Sequence, residues 1–146
     1  MTINQLSIFI ENRSGTLLKV LDVLKQSGIQ IVASTIADTA EYGIYRLICS
    51  EPLRAYEQLK AAGVAVALSD VFALELDDEP GRAADAISSF SQAGISIAYM
   101  YTFLLKGKGI LIFRTDNAEQ ARDTILKNGL KFIQEQDLSQ WATTKI

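Results

Sequence analysis

The sequence predicts an α+β protein built from two copies of one βαββαβ module, and three observations support this prediction. First, a shift of 66 positions superimposes eight of the nine glycines and leaves only Gly107 unmatched. Second, within each copy the apolar spacing changes from two residues to three or four, as it does where a strand gives way to a helix. Third, both copies follow the same order of elements. Such self-similarity indicates a duplicated architecture.

The first copy begins with an alternating strand at 6–10 and a helix from Leu17, whose apolar stripe continues until Gly28. Gly28 ends that helix in a left-handed turn. β-branched residues then predict a strand at 29–36, followed by a third strand at 44–49. Pro52 opens a second helix because proline suits a first helical turn, and Gly63 ends it. A short strand at 64–68 completes the copy.

The second copy repeats this order. It has a strand at 71–76, a helix at 80–93, a hairpin of strands at 95–105 and 109–115, a helix at 118–128 and a strand at 130–134. This is the ferredoxin-like or split βαβ arrangement, in which four antiparallel strands carry two helices on one face. The predicted domains are residues 1–69, residues 70–136 and a C-terminal tail at 137–146. We expect the tail to be a docking turn or a loose end.

Composition excludes several classes of function. The chain has a net charge of -3 and its basic residues are scattered, which argues against a nucleic-acid surface. It has no histidine, which excludes Ser-His and Cys-His catalysis. The lone Cys49 cannot form an internal disulfide and is expected to be a buried apolar residue. No apolar run reaches the ~20 residues of a membrane span, and the N-terminus lacks a secretory pattern. We therefore expect a cytoplasmic protein with no membrane partner.

The stretch 11–17 joins the first strand to the first helix and is the main candidate for binding chemistry. A helix start attracts carboxylates or phosphates through its unpaired N–H groups and the helix dipole. Gly15 allows a ligand to approach the backbone closely. Any glycine-containing strand-to-helix turn has these properties, and Asn12 serves equally as a capping or turn residue. The stretch alone therefore leaves a purely structural role open.

This stretch recurs in the second copy, and the two copies together resemble a known protein family. The residues that carry this resemblance are Asn12-x-Ser14-Gly15-x-Leu17 with Gly28-Ile29-x-Ile31, and Asp78-x-Pro80-Gly81 with Gly94-Ile95-x-Ile97. Over nearly its whole length the chain resembles a tandem pair of ACT domains, of the stand-alone type without an attached enzyme. The resemblance implies two modules packed side by side into one eight-stranded antiparallel sheet with four helices on one face.

The resemblance also implies ligand sites between modules, where the strand-to-helix loop of one module faces the second strand of the other. The first site then comprises Asn12, Arg13, Ser14, Gly15, Thr16 and Leu17 with Tyr99, Met100 and Tyr101. Backbone N–H groups there suit a carboxylate, Asn12 suits an ammonium or amide, and the aromatic residues form walls. A second possible site comprises Asp78, Glu79, Gly81, Arg82 and Ala83 with Ser34, Thr35 and Ile36. Its acids would repel a ligand carboxylate, and Pro80 removes one donor.

The sheet face away from the helices is predicted to be apolar, although a face exposed to water would carry polar residues. The predicted members are Phe9, Val32, Ile36, Ile44, Ile48, Ala98, Met100, Ile110 and Ile112, together with Arg46, Glu75 and Arg114. Glu75 and Arg114 are expected to pair across adjacent strands. Because exposed apolar patches of this size usually mark interfaces, we expect a homodimer through this face.

Three hypotheses for function follow. The leading one is a non-catalytic regulatory protein that senses an amino acid or related metabolite, with no cofactor, no metal site, no catalytic residue and a regulated enzyme as a further candidate partner. The alternative is a regulatory or scaffold subunit that acts through protein contacts without a metabolite. An enzyme is the third. Asp77, Asp78 and Glu79 provide paired carboxylates or a Mg²⁺ site, but no activated nucleophile or base accompanies them.

Overall fold

The computed structural model describes residues 1–11, 13–38, 42–77 and 79–143, which form six strands and five helices. The longest helix has 14 residues, and among the described helices none combines the length and apolarity needed to cross a membrane. The elements are β1 (Ile3–Ile10), α1 (Arg13–Gln26), β2 (Ile31–Asp38), β3 (Gly43–Cys49), α2 (Pro52–Ala61), β4 (Val66–Leu76), α3 (Arg82–Gln92), β5 (Ile97–Leu105), β6 (Lys108–Thr115), α4 (Ala118–Lys127) and α5 (Glu135–Thr143).

The predicted order of elements is confirmed from β1 to α4, but the predicted counts of eight strands and four helices are wrong. The expected strands at 64–68 and 71–76 are one continuous strand, β4, because Ser69 and Asp70 remain extended instead of turning. The expected last strand at 130–134 is reduced to a single antiparallel bridge between Leu74 and Phe132. The tail forms the fifth helix, α5, through residue 143.

The chain divides into two compact units. The first unit contains residues 4–69 and the tail from Gln136. Its strands β2, β3 and β1 pair antiparallel, with Ile8 opposite Tyr45. Leucine, isoleucine and valine side chains of these strands and of α1 and α2 form its core. The buried members are Leu6, Ile8, Ile10, Val20, Leu24, Ile29, Tyr45, Leu47, Cys49, Ala55, Leu59 and Val64.

The second unit contains residues 1–3 and 70–135. The later part of β4 pairs with β6, and β6 pairs with β5, all antiparallel. Helices α3 and α4 cover an aromatic core in which the ring centroids of Phe90 and Phe113 lie 4.7 Å apart and those of Phe72 and Phe113 lie 5.2 Å apart. The remaining buried members of this core are Leu74, Ala86, Ile95, Leu111, Ala121 and Ile125.

A β-bulge in each edge strand changes which residues lie on the predicted apolar face of the sheet. The register slips between Ile31 and Ala33 in β2, and between Ile97 and Tyr99 in β5, which are equivalent positions of the repeat. An extra residue reverses the alternation of every side chain that follows. Ile36 consequently lies opposite Tyr45 and Met100 opposite Phe113, on the sheet face that carries each core, although both side chains are 43% exposed. The predicted outward direction of Ile36 and Met100 is therefore wrong.

Other members of the predicted face are already buried within a single chain. Ile48, Ile110 and Ile112 are each at most 2% exposed. Their burial does not require a second copy, so the homodimer stays a prediction. The expected Glu75–Arg114 pair is wrong, because Glu75 pairs with Lys108 at 3.0 Å and Arg114 donates to the Asp70 carbonyl oxygen at 3.1 Å.

The ends of the helices support one prediction about stability. Gly94 follows α3 with φ +75°, and the next N–H, of Ile95, donates to the Phe90 carbonyl oxygen at 2.9 Å. A Cβ at this position would meet no atom within 4 Å, so only the backbone conformation opposes a side chain. Gly94→Ala is expected to lower the free energy of unfolding by about 1–2 kcal/mol, measured by urea denaturation. Gly94→Asn should lose less, since asparagine tolerates left-handed backbone. Equal stability of Gly94→Ala and the unmodified protein would contradict this expectation.

Candidate functional site

The strand-to-helix stretch of the first unit is tighter than predicted. Strand β1 ends at Ile10 and α1 already begins at Arg13, whereas the sequence pattern predicts a helix only from Leu17. Gly15 therefore belongs to the first turn of α1 and is exposed, while Thr16 and Leu17 are half-buried. The predicted site residue Asn12 lies outside the described residues. For Arg13 and Ser14 the structure places the main chain in the same helical turn.

A cavity of about 240 Å³ opens beside this helix start, within the first unit. The end of β1, one face of α1 and the turn after α2 enclose it. Its lining residues are Phe9, Glu11, Thr16, Lys19, Gly63, Val64 and Ala65. Gly63 has φ +82°, and the Lys19 Nζ lies 3.9 Å from the position that a Cβ of residue 63 would occupy. The Lys19 ammonium therefore lies over the glycine turn.

Glu11 and Lys19 give this cavity one carboxylate and one ammonium. Neither side chain has a hydrogen bond or an ion pair within the described part of the chain. Both are exposed. A small ligand that carries charges of both signs would find a counter-charge for each at this cavity.

A second cavity, of about 560 Å³, adjoins the first and shares three of its residues. The lining consists of the shared Phe9, Glu11 and Ala65 together with Tyr42. The rings of Phe9 and Tyr42 are tilted against each other with centroids 5.5 Å apart. Phe9 is 47% exposed and Tyr42 is 36% exposed, which leaves much of this aromatic surface open to a ligand.

The second unit carries a cavity at the equivalent position of the repeat, with a volume of about 320 Å³. The 66-residue shift maps all seven residues of the first cavity onto residues that line this one. The equivalents are Glu75, Asp77, Arg82, Asp85, Gly129, Leu130 and Lys131. The position is thus duplicated, but its chemistry differs, since Asp85 stands where Lys19 does and Glu75 where Phe9 does.

In the second predicted site, the cation Arg82 already forms ion pairs with other residues of the protein. Helix α3 begins at Arg82, three residues later than the repeat of the α1 start, and Gly81 caps it with φ 88°. Arg82 pairs with Glu79 and, through Nη1, with Asp85 Oδ2 at 3.1 Å. The side-chain hydrogen bonds to Asp85 and Glu79 raise the pKa of Arg82. Ala83 follows in α3, and Asp78 lies outside the described residues.

The strand residues of each predicted site lie on both faces of the sheet, because side chains alternate along a strand. Tyr99 and Tyr101 share the face of Arg114 and Ile112 and are half-buried. Met100 occupies the opposite face. In β2, Ser34 and Ile36 share the helix-covered face, and Thr35 shares the other face with Arg46. These strands belong to different units from their predicted partner loops, so each combination in one site stays a prediction.

The cavity includes residues that the sequence pattern did not single out. Phe9, Glu11, Lys19, Tyr42 and the turn at 63–65 were absent from the predicted site. The 66-residue repeat offered a signal for them, because comparison of charges at equivalent positions contrasts Lys19 with Asp85 and Tyr42 with Lys108. The proximity of Lys19 and the turn at 63–65 to Glu11 nevertheless depends on how α1 and the turn after α2 pack against β1.

The fold and its duplicated cavities define a protein of two repeated α+β modules, each with a strand-to-helix pocket. The chain belongs to the ACT domain pair family, whose sequence profile matches residues 1–142. ACT domains are regulatory modules. The tandem ACT fold predicted from the loop and glycine pattern is thereby confirmed.

Solved structures agree with this assignment. Protein BT0572 from Bacteroides thetaiotaomicron is 34% identical, with coverage of 95% of this chain and 96% of that one and a TM-score of 0.90. The ligand-free regulatory subunit of aspartate kinase from Thermus thermophilus is 17% identical, with coverage of 85% and 91% and a TM-score of 0.58, so it shares the fold. A search of curated proteins finds no match.

Proposed function

We propose that this chain is a non-catalytic sensor that binds an amino acid at the first cavity and regulates a partner. The observation that carries the proposal is the meeting of Glu11 and Lys19 on one cavity at the start of α1. An amino acid presents an ammonium and a carboxylate, and each finds a counter-charge there. The regulatory character of the family supports the same function.

The geometry assigns an end of the ligand to each charge. Lys19 and the N-terminal turn of α1 attract the carboxylate, because the helix dipole adds to the ammonium charge. Glu11 attracts the ligand ammonium. At about 240 Å³ the cavity is smaller than the ~300–1,000 Å³ typical of drug-sized ligands, which suits the ammonium and carboxylate groups of an amino acid.

The equivalent cavity of the second unit is not proposed for the same ligand. Its Arg82 is already engaged by Glu79 and Asp85, and Asp77 and Asp85 replace Glu11 and Lys19. The lining carries the three acids Glu75, Asp77 and Asp85 against the two cations Arg82 and Lys131, so a ligand carboxylate would face a cavity of net negative charge. Repulsion between like charges therefore disfavours binding there.

The proposal predicts the effect of removing either charge. Titration calorimetry with the twenty amino acids should find at least one ligand. Glu11→Gln and Lys19→Met should each weaken it by at least tenfold, consistent with ~1.5–3 kcal/mol for a hydrogen bond to a charged group. The amide and the N-acetyl derivative of the best ligand should lose affinity similarly, because each lacks one charge.

Asp77→Asn is the matched control, since Asp77 is the repeat equivalent of Glu11 and lies in the second unit. Its affinity should remain within about twofold of the unmodified protein, which is well below the ~1.4 kcal/mol of a tenfold change. Melting curves should show that all variants fold. Absence of heat and of a melting shift with every amino acid at millimolar concentration would overturn the sensor and favour a subunit that acts through protein contacts.

A further inference from the structure

We propose that the aromatic cavity of Phe9 and Tyr42 selects amino acids with large apolar side chains, and that each chain binds one such ligand. This inference rests on the proposed function, because it extends the same site. It adds the class of ligand and the number of ligands per chain.

The position of Glu11 connects the two cavities. Glu11 lines both the cavity of about 240 Å³ that contains Lys19 and the cavity of about 560 Å³ that contains Tyr42. In an α-amino acid the ammonium and the side chain leave the same carbon. An ammonium held by Glu11, with its carboxylate directed to Lys19, therefore places the ligand side chain toward the aromatic cavity.

The aromatic walls favour an apolar group over a polar one. Phe9 and Tyr42 form a tilted pair and expose apolar surface that water would otherwise cover. A ligand side chain that covers this surface removes it from water, and the gain grows with the apolar area buried. Aromatic side chains also prefer tilted contacts with one another. The aromatic cavity is wide enough for a large side chain.

The second module supplies an internal comparison. The repeat equivalents of Phe9 and Tyr42 are Glu75 and Lys108, and these form an ion pair of 3.0 Å. The same two positions therefore hold an open aromatic pair in one module and a closed ion pair in the other. An apolar side chain placed at the second position would desolvate that ion pair without replacing it, which costs free energy. One ligand per chain follows.

The Glu75–Lys108 ion pair shows that the fold accommodates a glutamate and a lysine at these two positions of the repeat. The double change Phe9→Glu and Tyr42→Lys reproduces the ion pair of the second module at the equivalent positions of the first. Calorimetry on the full chain would compare glycine, alanine, leucine, phenylalanine, glutamate and lysine. The unmodified protein should bind leucine or phenylalanine at least tenfold more tightly than glycine, with one ligand per chain.

The double variant should lose that preference and bind phenylalanine within threefold of glycine. The control Glu75→Gln with Lys108→Gln removes the ion pair of the second module and should keep the preference. A preference for glycine, glutamate or lysine in the unmodified protein would overturn this inference while the sensor proposal stands. Binding of two ligands per chain with equal affinity would also overturn it, as would an unchanged preference in the double variant. Absence of binding by any amino acid would overturn the proposed function and this inference together.

Discussion

Phe90→Ala is expected to lower the free energy of unfolding by about 3–5 kcal/mol, the range for removing a large buried aromatic side chain. Phe90 is 0% exposed, and its ring centroid lies 4.7 Å from that of Phe113. The substitution leaves a cavity under α3 and also removes the contact between the two rings. Urea denaturation followed by circular dichroism measures the change.

Leu126→Ala is the matched control for this prediction. Leu126 lies on α4 in the same unit but is 58% exposed, so its loss should cost no more than the ~0.5 kcal/mol of a surface substitution. Equal losses for the two variants would contradict the packing of Phe90 at the centre of the aromatic core.

Leu138→Ala is expected to cost about 2–5 kcal/mol, because Leu138 is only 3% exposed and its replacement removes buried methyl groups from α5. The neighbouring Ser139 Oγ donates to the Ser50 carbonyl oxygen at 2.7 Å, which attaches α5 to the end of β3. The loss should appear in urea denaturation of the full chain.

Gln136→Ala provides the control on the same helix. Its side chain is exposed, so stability should stay within about 0.5 kcal/mol of the unmodified protein. If both variants are as stable as the unmodified protein, the burial of Leu138 does not stabilise the fold.

Much of the fold follows from local patterns in the sequence. Glycines such as Gly28 and Gly94 adopt positive φ after helices at the predicted positions. Pro52 begins α2 as expected. The edge strands show where local patterns fail, because a bulge after Ile31 or Ile97 leaves no mark in the apolar alternation. The side chains beyond it are consequently assigned to the wrong face.

The candidate site was predictable only in part. The stretch 11–17 and its repeat were recognisable from spacing, but Thr16 alone of the predicted first-site residues is among the described residues that line the cavity. Lys19 and Tyr42 were not recognised, since each looks like an ordinary surface residue in its own element. Their relation to Glu11 arises because the fold brings Lys19 of α1 and Tyr42 to cavities at the end of β1.

The sequence alone determined the duplication, the order of elements and the family, because these depend on periodicity and on turn residues within a few positions of one another. Tertiary structure decided which strands merge, which edge residues face the helices, and which charges meet. These properties depend on residues far apart in the chain, such as Phe9 with Tyr42 and Glu75 with Lys108. At these equivalent positions of one repeat, the contacts formed in the fold give one module an aromatic wall and the other an ion pair.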